Sequence, residues 1–421
     1  MNGGLSMVEM KRKYKKSEYG LIPVDWKEGT FADFLEGFSA GATPYRGITS
    51  NFKGKIKWIS SGELNYNRIN DTIEHISEEA FTKTSLKIHP EGTFLMAITG
   101  LEAAGTRGRC AFVGNPAATN QSCMAIYPTD KMINEYLYYF YRKYSEILAN
   151  KYCQGTKQKS YTSNIVKLLP IVCPPSIKEQ ASIATALSDV DSLISALTKK
   201  IEKKKAIKQG LMQQLLTGKK RLPGFGEKWV EIELGQHSIM NSGGTPSTAN
   251  PEYYGGKIPF LSINDITNAG KFIYETEKTI TEEGLKNSSA RLFKKGTIMY
   301  AMYASVGKCA ITKIRISCSQ AILGINVDST LDADFLYYYL VSIQDDVLNY
   351  GQTGTQTNLS KQIISSFILN VPSSKAEQTA IANILSDCDS EIVALEEKRD
   401  KYKEIKQGMM QQLLTGKIRL I

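Results

Sequence analysis

The stretch Glu179–Leu222 recurs as Glu377–Leu420, shifted by 198 residues without a gap. Roughly two-thirds of its positions are identical, far beyond chance. The two copies end as IKQGLMQQLLTGKKRL (Ile207–Leu222) and IKQGMMQQLLTGKIRL (Ile405–Leu420). The segments before them match more weakly but in the same order: Thr43-Pro44 with Thr245-Pro246, Gly54-Lys55-Ile56 with Gly256-Lys257-Ile258, Gln121 with Gln320, Leu137-Tyr138-Tyr139 with Leu336-Tyr337-Tyr338, and Gly155-Thr156 with Gly354-Thr355. A chain built this way is a tandem duplication. Each unit is a variable globular domain followed by a near-identical helix.

The helix assignment rests on periodicity. Ile183, Leu187, Val190, Ile194, Leu197 and Ile201 follow the alternating four-three spacing of a coiled-coil seam, and Ile381, Leu385, Cys388, Ile392 and Leu395 repeat it. Pro174-Pro175 and Pro372 precede the helices, where proline is tolerated. Gly218 and Gly416 suit C-caps, and the interior Gly210 and Gly408 are expected to mark close packing. About 40 residues make a helix of ~60 Å. Two such helices pair most simply with each other; the alternative is a helix packed on its own domain. The globular parts read as mixed α/β, class α+β. Strands are expected at Lys57–Ser60, Thr93–Thr99, Cys123–Tyr127, Thr297–Tyr303 and Ala321–Val327, and helices at Asn134–Leu148 and Ala333–Leu348.

The 421 residues carry 52 Lys and Arg against 42 Asp and Glu, for a net charge of +10 and a pI near 9.0. That excess fits a polyanionic partner. Seven cysteines without a C-x-x-C pair suit reduced thiols in a cytoplasmic protein, not a disulfide framework. The three histidines, His75, His89 and His237, are scattered, so no metal site is expected. No apolar run reaches the ~20 residues of a membrane span, and no secretory h-region opens the chain. P-loop, G-x-G-x-x-G and H-E-x-x-H motifs do not occur. The Pro-Pro at Cys173–Ser176 lacks the flanks of an amino-methyltransferase signature. Catalysis by the chain itself therefore has no sequence support.

Polar, glycine-rich stretches recur in order in both units and are read as DNA contacts, since Arg pairs with guanine, Gln and Asn with adenine, and Lys and backbone N–H with phosphate. In the first unit the candidates are Thr43, Tyr45, Arg46, Arg107, Arg109, Gln121, Lys157, Gln158 and Lys159; in the second, Thr245, Ser247, Ser305, Lys308, Gln320, Thr355, Gln356 and Asn358. Turn chemistry alone is the competing account of any single stretch. Shared positions are expected to serve scaffold and phosphate, and differing ones to read bases: Arg107 and Arg109 against Val306 and Lys308, Tyr45-Arg46 against Ser247-Thr248, and Lys157–Lys159 against Gln356–Asn358. Leu211, Met212 and Leu215, with Met409, Met410 and Leu413, widen the apolar face of each helix and are expected to dock a protein partner, with packing on the chain's own domains as the alternative.

The chain resembles the specificity (S) subunits of type I restriction-modification systems from Tyr19 onward. The resemblance is carried by Gly20–Pro23 with Trp26, Arg221–Pro223 with Trp229, Ser242–Ser247, Tyr253–Pro259, the Glu179-Gln180 and Glu377-Gln378 helix starts, and the Leu-Leu-Thr-Gly-Lys exits. It implies two target recognition domains joined by two long antiparallel coiled-coil helices in a pseudo-twofold tandem repeat. Each domain would read one half of a split, asymmetric site on double-stranded DNA. The helices would act as a ruler and dock two methylation subunits, and restriction subunits would join the full complex. S-adenosylmethionine, ATP and Mg are then expected only on partners. The expected divisions are a basic flexible tail at 1–18, recognition domains at 19–175 and 221–373, and spacer helices at 176–220 and 374–421. A coiled-coil adaptor without DNA, or a fused DNA-modifying enzyme, are the alternatives. Gly41-Ala42-Thr43-Pro44, against Gly243-Gly244-Thr245-Pro246, departs from the second unit's pattern.

Overall fold

A computed structural model describes residues 13–103, 105–155, 159–349 and 358–420. The chain divides into two compact units: Met1–Leu197 with Lys398–Ile421, and Thr198–Glu397.

The core of the first unit is a five-stranded sheet. Its strand order is Glu36–Ala40, Cys123–Tyr127, Phe94–Ala97, Cys110–Val113, Arg68–Ile69. The second unit repeats that order as Ser238–Ser242, Ile322–Val327, Ile298–Ala301, Cys309–Thr312, Phe272–Ile273. The outermost pair is parallel in both units and the other pairs are antiparallel. The central strands Phe94–Ala97 and Ile298–Ala301 are buried along their whole length. That is why they read as unbroken apolar runs rather than as alternation. Smaller sheets flank each: Ala118–Thr119, Ile56–Ile59 and Glu74–Ile76 in the first unit, and Lys278–Ile280, Tyr254–Leu261, Ile316–Cys318 and Leu292–Phe293 in the second.

A helix at Asn134–Tyr152 covers the first sheet, burying Tyr136, Leu137, Phe140, Tyr141 and Leu148. Its counterpart, expected as one helix over Ala333–Leu348, is broken into Ala333–Ser342 and Gln344–Asn349. The break places Gln344 over the turn at Gly307, where its Nε2 donates to the Val306 carbonyl at 3.2 Å.

The long helices span Ile177–Leu215 and Lys375–Leu413. Each starts in one unit and ends in the other. Within the first unit, Glu179 faces Arg419 and Asp191 faces Lys406, so the two helix segments run antiparallel. Within the second unit, Glu377 faces Arg221 and Asp389 faces Lys208, the same pairs shifted by 198 residues. The apolar stripe serves more than the helix seam. Ile183 and Leu187 lie in the first unit's core, Ile381 and Leu385 in the second's, while Leu197, Ile201 and Ile392 are buried outside both.

The repeated signatures now have physical meanings. Gln180 is fully buried; its Nε2 donates to the Lys131 and Pro174 carbonyls and its Oε1 accepts from the Ile133 N–H. Gln378 repeats this with Thr330, Pro372 and Asp332. Glu179 (3 % exposed) and Glu377 (1 %) each accept two hydrogen bonds from the exit arginine. Gly218 and Gly416 turn the chain at φ +70° and +66°, against Trp229 and Trp26. The expectation for Gly210 and Gly408 fails: a Cβ at either would meet nothing within 4 Å.

The basic tail also needs correction. Residues 1–12 lie outside the described residues, but Tyr14–Ser17 is a strand paired with Gly20–Pro23. Lys15 donates to the Trp26 carbonyl at 2.6 Å, and Glu18 takes Lys151 and Tyr152. Its partners make this stretch ordered sheet rather than a free arm.

Candidate DNA interface

Backbone bonds gather the polar loops of the first unit at one end of its strands. Gly41 presses against the Thr119 carbonyl, leaving no room for a Cβ, and the Ala42 N–H donates to that carbonyl at 3.1 Å. Asn120 N–H donates to Ile59, Ile98 to Ser122, Leu101 to Lys159 and Tyr161 to Ile98. The second unit builds the same skeleton: Gly244 to Cys318, Ser319 to Leu261, Met302 to Ala321 and Leu359 to Met302. Gly41-Ala42 against Gly243-Gly244 is a packing difference. Ala42 packs in a small apolar cluster, whereas a Cβ on Gly244 would collide with Ser289.

On this skeleton the Thr43 hydroxyl donates to Gln121 Oε1, and Thr245 donates identically to Gln320 Oε1. Each hydroxyl holds its amide by the carbonyl oxygen, so the NH2 group takes no part in the latch. Tyr45 stands 74 % exposed beyond the first latch; Ser247 is exposed beyond the second.

The arginines divide. Arg107 and Arg109 match Val306 and Lys308, because the Ala97 N–H donates to Arg109 O just as Ala301 donates to Lys308 O. Val306 is buried, and the Arg107 side chain is only 15 % exposed. Arg107 is spent internally: Nε to Leu101 O at 3.0 Å, Nη2 to Glu102 O at 3.0 Å, Nη1 to Glu146 at 2.8 Å. It is a loop brace, which corrects the expectation that it reads bases. Arg109 makes one long contact, Nε to Gly105 O at 3.5 Å, and Lys308 makes no ion pair among the described residues. Both remain available to a ligand. Arg46 is also committed. Its two Nη groups bind Glu74 at 2.8 Å each, over the rings of Phe52 and Trp58, and this hydrogen bonding holds Glu74 below the usual carboxylate range. Ser305 shares a hydrogen bond of 3.0 Å with Thr267. Lys159 is half-buried, its N–H donating to Glu102. Asn358 precedes the Leu359 bond to Met302. Lys157, Gln158, Thr355 and Gln356 lie outside the described residues.

Two features escaped the sequence reading. Tyr66 sits at φ +57° beside Arg109, held by its N–H to Cys110 O, by the Tyr138 hydroxyl on its carbonyl and by Arg142 over its ring. A tyrosine carries no code for that backbone region. Ser60–Glu63 and Ser262–Asp265 form matched capping boxes beneath the Asn120 and Ser319 turns. The S-x-x-E/D spacing was legible and was not used.

The docking residues need correction as well. Leu413 and Leu414 are buried in the first unit's core with Met409 and Met410 packed on it; Leu215, Leu216, Leu211 and Met212 do the same in the second. The wide apolar face is wide because each helix end also seals a domain.

Two like sheets with matched loop skeletons and unlike loop tips define a class: a duplicated protein that presents two different loop surfaces on one repeated scaffold. The family model for the type I restriction modification DNA specificity domain matches residues 23–209 and 226–407. The chain belongs to that family, and it is a DNA-recognition subunit without catalysis of its own. It is 26 % identical to the "Putative type I restriction enzyme MjaX specificity subunit" of Methanocaldococcus jannaschii, over 97 % of each chain. It is 25 % identical to the MjaVIII specificity subunit of the same organism, over 98 % of this chain and 99 % of the other. The fold is similar to the crystal structure of a type I S subunit from M. genitalium, with a TM-score of 0.63, 17 % identity, and 95 % and 98 % of the two chains covered. No helix among the described residues is long and apolar enough to cross a membrane.

Proposed function

We propose that each unit reads one half of a bipartite, asymmetric double-stranded site, and that the chain positions methylation and restriction subunits on it. The observation that carries this reading is the shared loop skeleton with divergent tips: Thr43–Gln121 and Thr245–Gln320 repeat, while Arg109 and Lys308, or Tyr45 and Ser247, do not. S-adenosylmethionine, ATP and Mg then act on partner subunits, in the cytoplasm. Mapping methylated adenines in a host that expresses the chain with its methylation partner tests the reading. Two unlike half-sites with an unread spacer are expected; a continuous or palindromic motif overturns it.

The long helices supply the spacing in this reading. Four residues inserted between Leu197 and Lys205, matched by four between Leu395 and Lys403, lengthen both helices by ~6 Å. The spacer is expected to grow by one or two base pairs, at ~3.4 Å each. An unchanged motif with retained methylation would assign the spacing to the domains.

Docking falls one turn earlier on each helix than the apolar spacing suggested. Ile207 is 43 % exposed and Ile405 is 40 % exposed, each three residues before a glycine whose Cβ position is open. Both belong to the identical Ile-Lys-Gln-Gly segments, and neither joins a core. Two copies of one exposed surface suit two copies of one partner. Ile207→Asp with Ile405→Asp is expected to leave folding intact and abolish co-purification of methylation subunits, and either change alone to leave one subunit bound.

A further inference from the structure

Three ion pairs tie the helix segments in the second unit: Lys208–Asp389 at 2.5 Å, Lys204–Glu391 at 2.7 Å and Lys205–Glu396 at 2.6 Å. The first recurs in the first unit as Lys406–Asp191. The other two do not, because the matching positions there hold Tyr402 with Leu193, and Lys403 with Thr198.

This asymmetry matters because packing alone is indifferent. Everything that the 398–421 segment gives the first unit has an equal in the first helix: Lys208 for Lys406, Leu211 for Met409, Met212 for Met410, Leu215 and Leu216 for Leu413 and Leu414, and Arg221 for Arg419. The first half of the chain, ending at Leu222, could therefore close on the first half of another copy. The first half is also finished before the second is synthesised. A like pair would bring two blocks of Lys199, Lys200, Lys203, Lys204 and Lys205 to one seam. It would set Lys204 against Leu193 and Lys205 against Thr198, where neither offers a carboxylate.

We propose that Lys204–Glu391, with the lysine block beside it, is a pairing code that makes the first half of this chain select the second half over a like half from another copy; Lys205–Glu396 adds nothing to it, because two second halves would keep that bond as Lys403–Glu396. Charges beside a helix seam set partner choice in this way, through attraction to the right partner and repulsion of the wrong one. The purpose of the code, keeping two unlike readers together, rests on the bipartite reading above; the pairing itself is measurable without DNA.

The test uses the full chain with a protease site placed in Pro223–Lys228 and cut after folding. Two cut preparations, one with a mass tag on its first half, are mixed, refolded together from urea and weighed by native mass spectrometry. Surface ion pairs contribute little singly, so the two Lys204–Glu391 pairs gained when two like pairs exchange into two unlike ones, with the relieved lysine repulsion, are expected to favour unlike over like pairs by about tenfold beyond the random ratio at low salt. The preference should shrink in about 0.5 M salt. Lys204→Glu should remove it, and adding Glu391→Lys should restore it. A random mixture from the wild-type chain, separation of the halves on cutting, or a preference untouched by reversal overturns the proposal. Correct pairing with a palindromic methylation motif would instead leave the code standing and sink the bipartite reading.

Discussion

Arg109→Ala is expected to relax base preference at one position of one half-site and leave the other half-site unchanged. Its guanidinium makes a single long contact to the Gly105 carbonyl, on a turn that the shared skeleton holds through the Ala97 N–H. A lost bidentate contact costs about 1–3 kcal/mol of discrimination, or roughly five- to 150-fold. Binding to a panel of single-base variants measures it; uniform weakening across the panel would make Arg109 a phosphate contact. Arg107→Ala two residues away is the control, with the opposite signature. It removes three internal hydrogen bonds, one of them the Glu146 ion pair, so it should loosen the loop and lower affinity without changing base preference.

Arg419→Ala is expected to be the most destabilising single change at the helix ends. Arg419 donates to the buried Glu179 and, at 2.9 and 3.0 Å, to Asp25. Removing it leaves a carboxylate that is 3 % exposed without its counter-ion. Breaking a buried pair from one side costs on the order of 3–5 kcal/mol. Urea unfolding of the full chain should show the loss. Glu179→Gln added to Arg419→Ala should recover much of it, because the stranded charge is gone. A double variant no more stable than the single would mean that the arginine acts through its bonds to Asp25 rather than by neutralising Glu179.

The duplication, the long helices and their caps were all legible in the linear pattern. The duplication shows in a match at a fixed offset of 198, and the helices and caps in residues a few positions apart: the four-three spacing from Ile183, the prolines before each helix, and the glycines after Leu-Leu-Thr. The order of the polar loops was legible too, because a repeat aligns positions without any knowledge of their surroundings. The S-x-x-E and S-x-x-D boxes at Ser60 and Ser262 were equally local.

The identity of each arginine was not. Arg46, Arg107 and Arg109 look alike in a string, yet Glu74, 28 residues away, claims the first, and Glu146, 39 residues away, claims the second. The same limit governs the leucines and methionines at the helix ends. Periodicity reports that a face is apolar and is silent on whether a seam, a domain or a partner covers it. Met409 and Met410 turn out to pack on a core made by residues from the other end of the chain. The sequence by itself determined the architecture, since secondary structure follows from near neighbours along the chain and the repeat from a match at a fixed offset. Only the tertiary structure decided which charges are spent and which remain for DNA, because a guanidinium's free energy depends on the carboxylates and carbonyls that folding brings to it through space.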